Sequence, residues 1–220
     1  TDVPMGVVPA GTGNDLARYL GLPRADPAAA AAVVCDGRVR TMDLARAGGS
    51  YYATVLASGF DARVNARANT LPWARGQLRY TIATAVELPK FEPIRYCLEL
   101  DEVRRQVDAM MVAVGNGPSY GGGLRICEGA KLDDGYLDLV LFKPLSRVEL
   151  VTLFPRLYNG THVSHPQYEH HRVSRVSVAA AGVTAYADGE RVGMLPLTVE
   201  AAPMALTVFV PSRGARSLEP

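Results

Sequence analysis

Apolar and polar residues alternate along this chain in two textures. In the first, short apolar runs are separated by glycine-rich or capped turns. Residues 5–8 have strand character, 9–13 form a permissive turn, and 16–20 predict a short helix stopped near Gly21 and Pro23. Asp26-Pro27 opens a second helix over 28–35 that ends at Asp36-Gly37. Proline just inside a helix and glycine just past it are the expected punctuation. Residues 39–45 predict a strand carrying Asp43, and Gly48-Gly49 a turn.

The second texture begins at Tyr51 with a continuous strand-like run over 51–58. Helical patterns follow over 61–69 and 77–88, split by Leu71-Pro72-Trp73. Strand-length runs then occupy 94–99, 107–115, 136–142, 173–179, 184–187, 195–200 and 205–210, each bounded by Gly, Pro, Asn or Asp. One helix, 147–158, interrupts them after Pro144. Many short strands between turn signals predict a β-sandwich or open barrel. The chain is therefore expected to be α+β, with a partial α/β nucleotide-binding domain over 1–47 and a β-rich domain over 48–220.

Composition narrows this picture without redirecting it. The 220 residues hold 48% hydrophobic and 20% charged positions, with a net charge of +1. Such a balance gives no global field for nucleic acid. Cys35, Cys97 and Cys127 are odd in number and far apart, which argues against a disulfide framework or a structural zinc site. No apolar run reaches the roughly 18 residues needed to span a bilayer, so the expected setting is cytoplasmic. His162, His165, His170 and His171 lack the partners of a metal site and read as loop and strand histidines.

Four constellations can carry chemistry. Gly11-Thr12-Gly13-Asn14-Asp15 follows a strand and opens a helix, where bare backbone N–H groups and free helix-start donors favour a phosphate. A helix capped by Asn14 or Asp15 after a tight turn explains the same residues. Gly115–Gly123 holds five glycines in nine residues directly after an apolar strand, the composition of a binding loop. Lys131-Leu132-Asp133-Asp134-Gly135-Tyr136 is on spacing alone an ordinary turn, although its carboxylates and carbonyls are hard-cation donors. Ala187-Asp188-Gly189-Glu190 is on spacing alone a hairpin, although two carboxylates so close can pair a general base with a group that orients it. Arg63, Arg67, Arg75 and Arg79 around Trp73 read as a solvated basic face, with docking on anionic headgroups as the alternative.

These segments occur in one order: PMGVVPAGTGNDLAR from Pro4, GFDARV at 59–64, VGNGPSYGGGLRICEGAKLDDGYLDLVLF at 114–142, and YADGERVG at 186–193. Together they resemble the diacylglycerol kinase catalytic family, which includes bacterial lipid kinases and the sphingosine and ceramide kinases. The resemblance implies an ATP-dependent kinase that phosphorylates a lipid hydroxyl at a site between the two domains. It implies that Gly11, Thr12, Gly13, Asn14 and Asp15 bind nucleotide. It puts Asp188 and Glu190 at the phosphoryl-transfer site, with Glu190 as the base. It implies a structural Mg²⁺ held by Asp134 and the carbonyls of Lys131 and Tyr136, with Asp43 linked through water.

The family's GGDGT phosphate loop, expected before GTGND, is not in this sequence. The expectation is thus the C-terminal portion of a lipid kinase, inactive alone. The alternatives are a non-catalytic lipid-binding module, or a kinase of a sphingoid base or other lipid alcohol. A lipid substrate and transient peripheral contact with a membrane surface are the expected partners. Strand edges left open also make a homodimer an expected arrangement.

Overall fold

The computed structural model describes residues 3–71, 82–84, 86–87 and 91–212. Its frame is two six-stranded antiparallel sheets. The first sheet contains β1 (Val39–Ala47), β2 (Ser50–Tyr52), β4 (Ile94–Leu100), β5 (Val103–Ala109), β9 (Arg175–Ala179) and β12 (Leu197–Phe209), in the order β2-β1-β12-β9-β4-β5. The second contains β3 (Val55–Gly59), β6 (Met111–Gly115), β7 (Leu137–Phe142), β8 (Tyr168–Val173), β10 (Thr184–Ala187) and β11 (Glu190–Met194), in the order β11-β10-β3-β6-β7-β8.

Side-chain alternation divides the core between the two faces of the second sheet. Val112 and Val114 of β6 and Leu137, Leu139 and Leu141 of β7 pack inward on Tyr96, Leu98, Val176 and Val178 of the first sheet. Their neighbours Met111, Ala113, Val140 and Phe142 face the other way, against Ile126 and Leu153. Central strands covered on both faces are buried at every position, which is why β3, β6 and β7 are almost wholly apolar, with Ser58 and Asp138 as buried polar exceptions.

Helices that flank the sheets include α1 (Asp15–Tyr19), α2 (Pro27–Cys35), α3 (Phe60–Asn69) and α4 (Arg147–Asn159). In α2, Asp26 accepts hydrogen bonds from the N–H groups of Ala28 and Ala29, and proline stands at the first helical position. α4 opens on a reciprocal Ser146/Glu149 capping box and closes at Gly160 with φ 74°. α1 and α2 bury Ala17, Leu20 and Val33 against Met42 of β1 and Val208 of β12.

Several elements differ from the sequence expectation. The run 51–58 is two strands, β2 and β3, in different sheets. So is 107–115, divided into β5 and β6, and the strand expected over 173–179 is likewise β9 preceded by β8 across a sheet boundary. A sandwich is closed at such corners by strands that bend from one sheet into the other. Apolar periodicity is indifferent to which sheet a residue pairs in. Conversely, 195–200 and 205–210 are one strand, β12, which bulges near Pro203 and Met204. Residues 5–8 form a single parallel bridge, Met5 to Val208, rather than a strand. The helix over 77–88 falls largely outside the described residues, as do Trp73, Arg75 and Arg79. Arg63 and Arg67 are not a free basic face: both pair with the buried Glu87, at 3.0 and 2.8 Å.

The edges of the two sheets are also tied by charge. Glu169 of β8 pairs with Arg105 of β5, with Lys143 at 2.8 Å and with His171 at 2.6 Å. Burial by itself would raise the Glu169 carboxyl. Hydrogen bonds from Arg105, Lys143 and His171 outweigh burial and hold it at about 2. A depressed carboxyl stabilises the fold above its unfolded value, and that contribution fades as pH falls toward 2. Glu169→Gln is expected to lose about 2 kcal/mol at pH 7. In chemical denaturation the wild-type advantage should shrink steadily below pH 4; an equal difference at pH 7 and pH 3 would contradict this account.

Candidate functional site

The predicted constellations converge on one place, the Ala53-Thr54 corner between β2 and β3. Asp188 sits at the β10–β11 turn with φ 50°. Its carboxylate accepts the N–H of Ala53 at 2.7 Å, the N–H of Thr54 at 2.9 Å and the Thr54 hydroxyl at 2.5 Å. The hairpin expected around Asp188-Gly189 is thus built, and Asp188 fastens it to the corner. From the opposite side, the buried Asn116 donates to the carbonyls of Ala53 and Asp43, at 2.9 and 3.0 Å. The N–H groups of Asn116 and Gly117 both donate to the Thr54 carbonyl. Glu190 is the first residue of β11 and is exposed. Among the described residues no hydrogen bond or ion pair holds its carboxylate.

The Gly11–Asp15 turn lies against the 115–123 loop. Asn14 stands at the start of α1 in the left-handed region, φ 53°, and makes no helix-capping bond. Instead its amide group exchanges two hydrogen bonds with the backbone of Gly11, closing the turn. α1 has five residues, barely more than a turn, so an anion here would rest on the loop backbone rather than on a helix dipole. Asp15 accepts from Arg18 at 2.7 Å, Ser119 at 3.1 Å and the Gly122 N–H at 2.8 Å. It therefore ties the two glycine loops together. A Cβ on Gly13 would meet the Asp15 carboxylate at 3.2 Å, tight enough that this carboxylate would have to shift. Gly11 and Thr12 complete the turn, with Gly11 at the surface.

Asp43 is a buried anchor. It is 2% exposed, and its carboxylate accepts the N–H of Gly135 at 2.7 Å and of Met204 at 2.8 Å. Its own N–H donates to the Leu132 carbonyl at 2.6 Å. It so fixes the 131–136 loop against the β12 bulge. Asp134 accepts the Tyr136 N–H at 3.1 Å and pairs with Arg172 at 2.6 Å, and Arg172 also lies 4.5 Å from the centre of the Tyr136 ring. The one carboxylate and two carbonyls of Asp134, Lys131 and Tyr136 suit Mg²⁺ in kind, with Arg172 as the competing cation. Among the described residues no three His, Cys, Asp or Glu side chains gather into a metal cluster.

Beside this polar ridge opens a cavity of about 750 Å³. The Thr12–Asp15 turn, Thr54, Asp188 and Gly189 line it together with apolar side chains that include Met110, Phe142, Leu153 and Leu157. This lining was not legible in the sequence, because it is assembled from segments 150 residues apart. Asp61 and Tyr120 also face it. Burial raises the Asp61 carboxyl to about 6, against a hydrogen bond from Tyr120 that lowers it. Both residues lie inside segments singled out above, and nothing in their spacing marked them as partners.

A two-sheet sandwich with a glycine-rich turn in the wall of a largely apolar cavity is compatible with several ligand classes; comparison with known proteins narrows them. The family model described as "YegS C-terminal NAD kinase beta sandwich-like domain" matches residues 54–210, and "Diacylglycerol kinase catalytic domain" matches 1–47. The chain is 42% identical over 220 residues to the diacylglycerol kinase of Mycobacterium tuberculosis, covering 97% of this chain and 71% of that protein. It is 30% identical over 194 residues to the diacylglycerol kinase of Bacillus subtilis, covering 87% and 64%. A crystal structure of a diacylglycerol kinase from Bacillus anthracis has the same fold, with a TM-score of 0.71 at 24% identity over 93% of this chain and 67% of that one. Fold and relatives together define a lipid kinase. The chain belongs to the diacylglycerol kinase family.

Proposed function

We propose that this chain forms the lipid-binding side and part of the nucleotide side of a kinase that transfers the γ-phosphate of ATP to the hydroxyl of a diacylglycerol-like lipid. The observation that carries this reading is the cavity, lined by apolar side chains together with the Thr12–Asp15 turn and the Asp188-Gly189 hairpin. Acyl chains would lie against the apolar lining. The lipid hydroxyl would then meet the phosphates held by the backbone of Gly11, Thr12 and Gly13, with Asn14 and Asp15 keeping that turn in shape. Glu190 takes the hydroxyl proton as the oxygen bonds to the γ-phosphorus, and the bond to the bridging oxygen breaks to release ADP. Transfer of this kind depends on positioning and charge more than on covalent help from the protein. Asp188 shapes the hairpin that presents Glu190. Asp134 and the carbonyls of Lys131 and Tyr136 would hold Mg²⁺, whose chemistry there is to tie the loop together, with Asp43 behind it.

The lipid would be drawn from a membrane surface. No helix among the described residues is long and apolar enough to cross one. α4, however, is apolar on two faces. Val151, Leu153 and Leu157 line the cavity, while Val148, outside that lining, is 73% exposed. Such a helix rests its apolar face in an interface. The test is transfer of labelled phosphate from ATP by the intact enzyme, with diacylglycerol offered in vesicles and as a dispersed short-chain form. Val148→Asp is expected to lower the vesicle rate about tenfold or more and to leave the dispersed rate unchanged. Absence of transfer to either form would refute the kinase reading; equal loss on both forms would refute the role of α4.

A further inference from the structure

Asp61 is a carboxylate in the wall of a largely apolar cavity. Among the described residues no Lys or Arg pairs with it. Arg63, two positions on, is engaged by Glu87. The hydrogen-bond partner of Asp61 is the phenol of Tyr120, itself partly buried. A carboxylate has about four acceptor positions, and one phenol fills one of them. An ionised group left so incompletely paired in low-polarity surroundings is costly unless something else completes it. Both residues line the same cavity as Asp188 and Gly189 of the hairpin. One helical turn on from Asp61, Asn65 donates to the Gly189 carbonyl at 3.5 Å, so α3 is keyed to the hairpin that carries Glu190.

We propose that Asp61, held by Tyr120, is the positioning residue that receives the polar head of the lipid, accepting a hydrogen bond from a hydroxyl of the bound molecule. The inference rests on the lipid-kinase reading and adds a determinant of lipid class. An ionised acceptor in the wall of the cavity favours lipids that offer a hydrogen-bond donor over those whose head carries only esters. It would also tolerate an ammonium group, as in a sphingoid base. Asn65 supports the same station from outside by fixing the distance between α3 and the hairpin.

The test is a binding measurement, which does not require phosphoryl transfer to occur. Short-chain diacylglycerol and ATP are titrated separately into the intact enzyme, into Asp61→Asn and into Tyr120→Phe, and transfer is assayed in parallel. Asp61→Asn should weaken diacylglycerol binding about tenfold or more and leave ATP binding unchanged. Tyr120→Phe should weaken lipid binding less, and carries the test if Asp61→Asn fails to fold. A sphingoid base should lose more than diacylglycerol on Asp61→Asn, because a charge pair disappears with it. Wild-type lipid binding in both variants would overturn the inference even if transfer proceeds normally. Loss of lipid and ATP binding together, with a lower melting temperature, would also overturn it, as the mark of a purely structural role. Asp61-dependent lipid binding without transfer would support it and count against the kinase reading instead.

Discussion

Glu190→Gln in the intact enzyme is expected to lower turnover by ~10²–10⁴-fold and to leave lipid KM and melting temperature unchanged. The amide keeps the size of the side chain and removes only its capacity to take a proton. The structure gives the neighbouring carboxylate a different expectation. Asp188 uses both oxygens to accept three hydrogen bonds from Ala53 and Thr54. Asp188→Ala strips the partners from those donors and frees the hairpin from the β2–β3 corner. It should cost about 2–4 kcal/mol of stability along with activity, whereas Glu190→Gln should cost activity alone. Steady-state kinetics with thermal melts on both variants separates the two roles. Full activity in a well-folded Glu190→Gln enzyme would remove Glu190 from the mechanism and leave Asp188 as the candidate base.

The largest expected effect on stability lies at Asp43. Its carboxylate is buried and joins the Gly135 N–H, in the turn before β7, to the Met204 N–H, in the bulge of β12. Asp43→Ala leaves both donors without partners in a place water does not reach, at about 3–5 kcal/mol. Melting temperature should fall by roughly 10 °C for a chain of this size. Asp43→Asn should recover part of that, since its amide oxygen accepts one of the two bonds while its NH₂ meets the other donor. If Asp43 also serves a bound Mg²⁺, the thermal shift produced by adding Mg²⁺ to wild type should be absent from both Asp43→Asn and Asp134→Ala. A wild-type melting temperature in Asp43→Ala would show that the 131–136 loop is held by other contacts.

These two carboxylates mark how far the sequence reached into the site. Asp134, Asp188 and Glu190 lie in motifs that fall into family order, whereas Asp43 is named only through the family resemblance. What each carboxylate touches is invisible in the chain. Asp188 meets residues 134 and 135 positions away, and Asp43 meets one 161 positions away. Hydrogen bonds to backbone N–H groups carry no sequence signature, because every residue but proline offers one. Asp61 was overlooked for the same reason: a carboxylate on a helix reads as solvated until the fold puts Tyr120 beside it.

By itself, the sequence determined the local elements and their chemistry. Capping residues delimited α2, Pro144 marked the approach to α4, alternation and apolar runs located most strands, and glycine content marked the two loops that meet at Gly13 and Gly122. Those signals act over a few residues, within the range of turn geometry and side-chain periodicity. Only the tertiary structure decided where strands change sheet. The breaks at Ala53-Thr54, at Met110 and at Ser174 lie inside or at the edge of runs that look continuous, since an apolar residue satisfies either sheet equally well. Pairing partners far along the chain choose between them. The same long-range pairing sets α3 and α4 over the second sheet, and the cavity exists because those helices and the Gly11–Asp15 turn border a space that no single segment encloses.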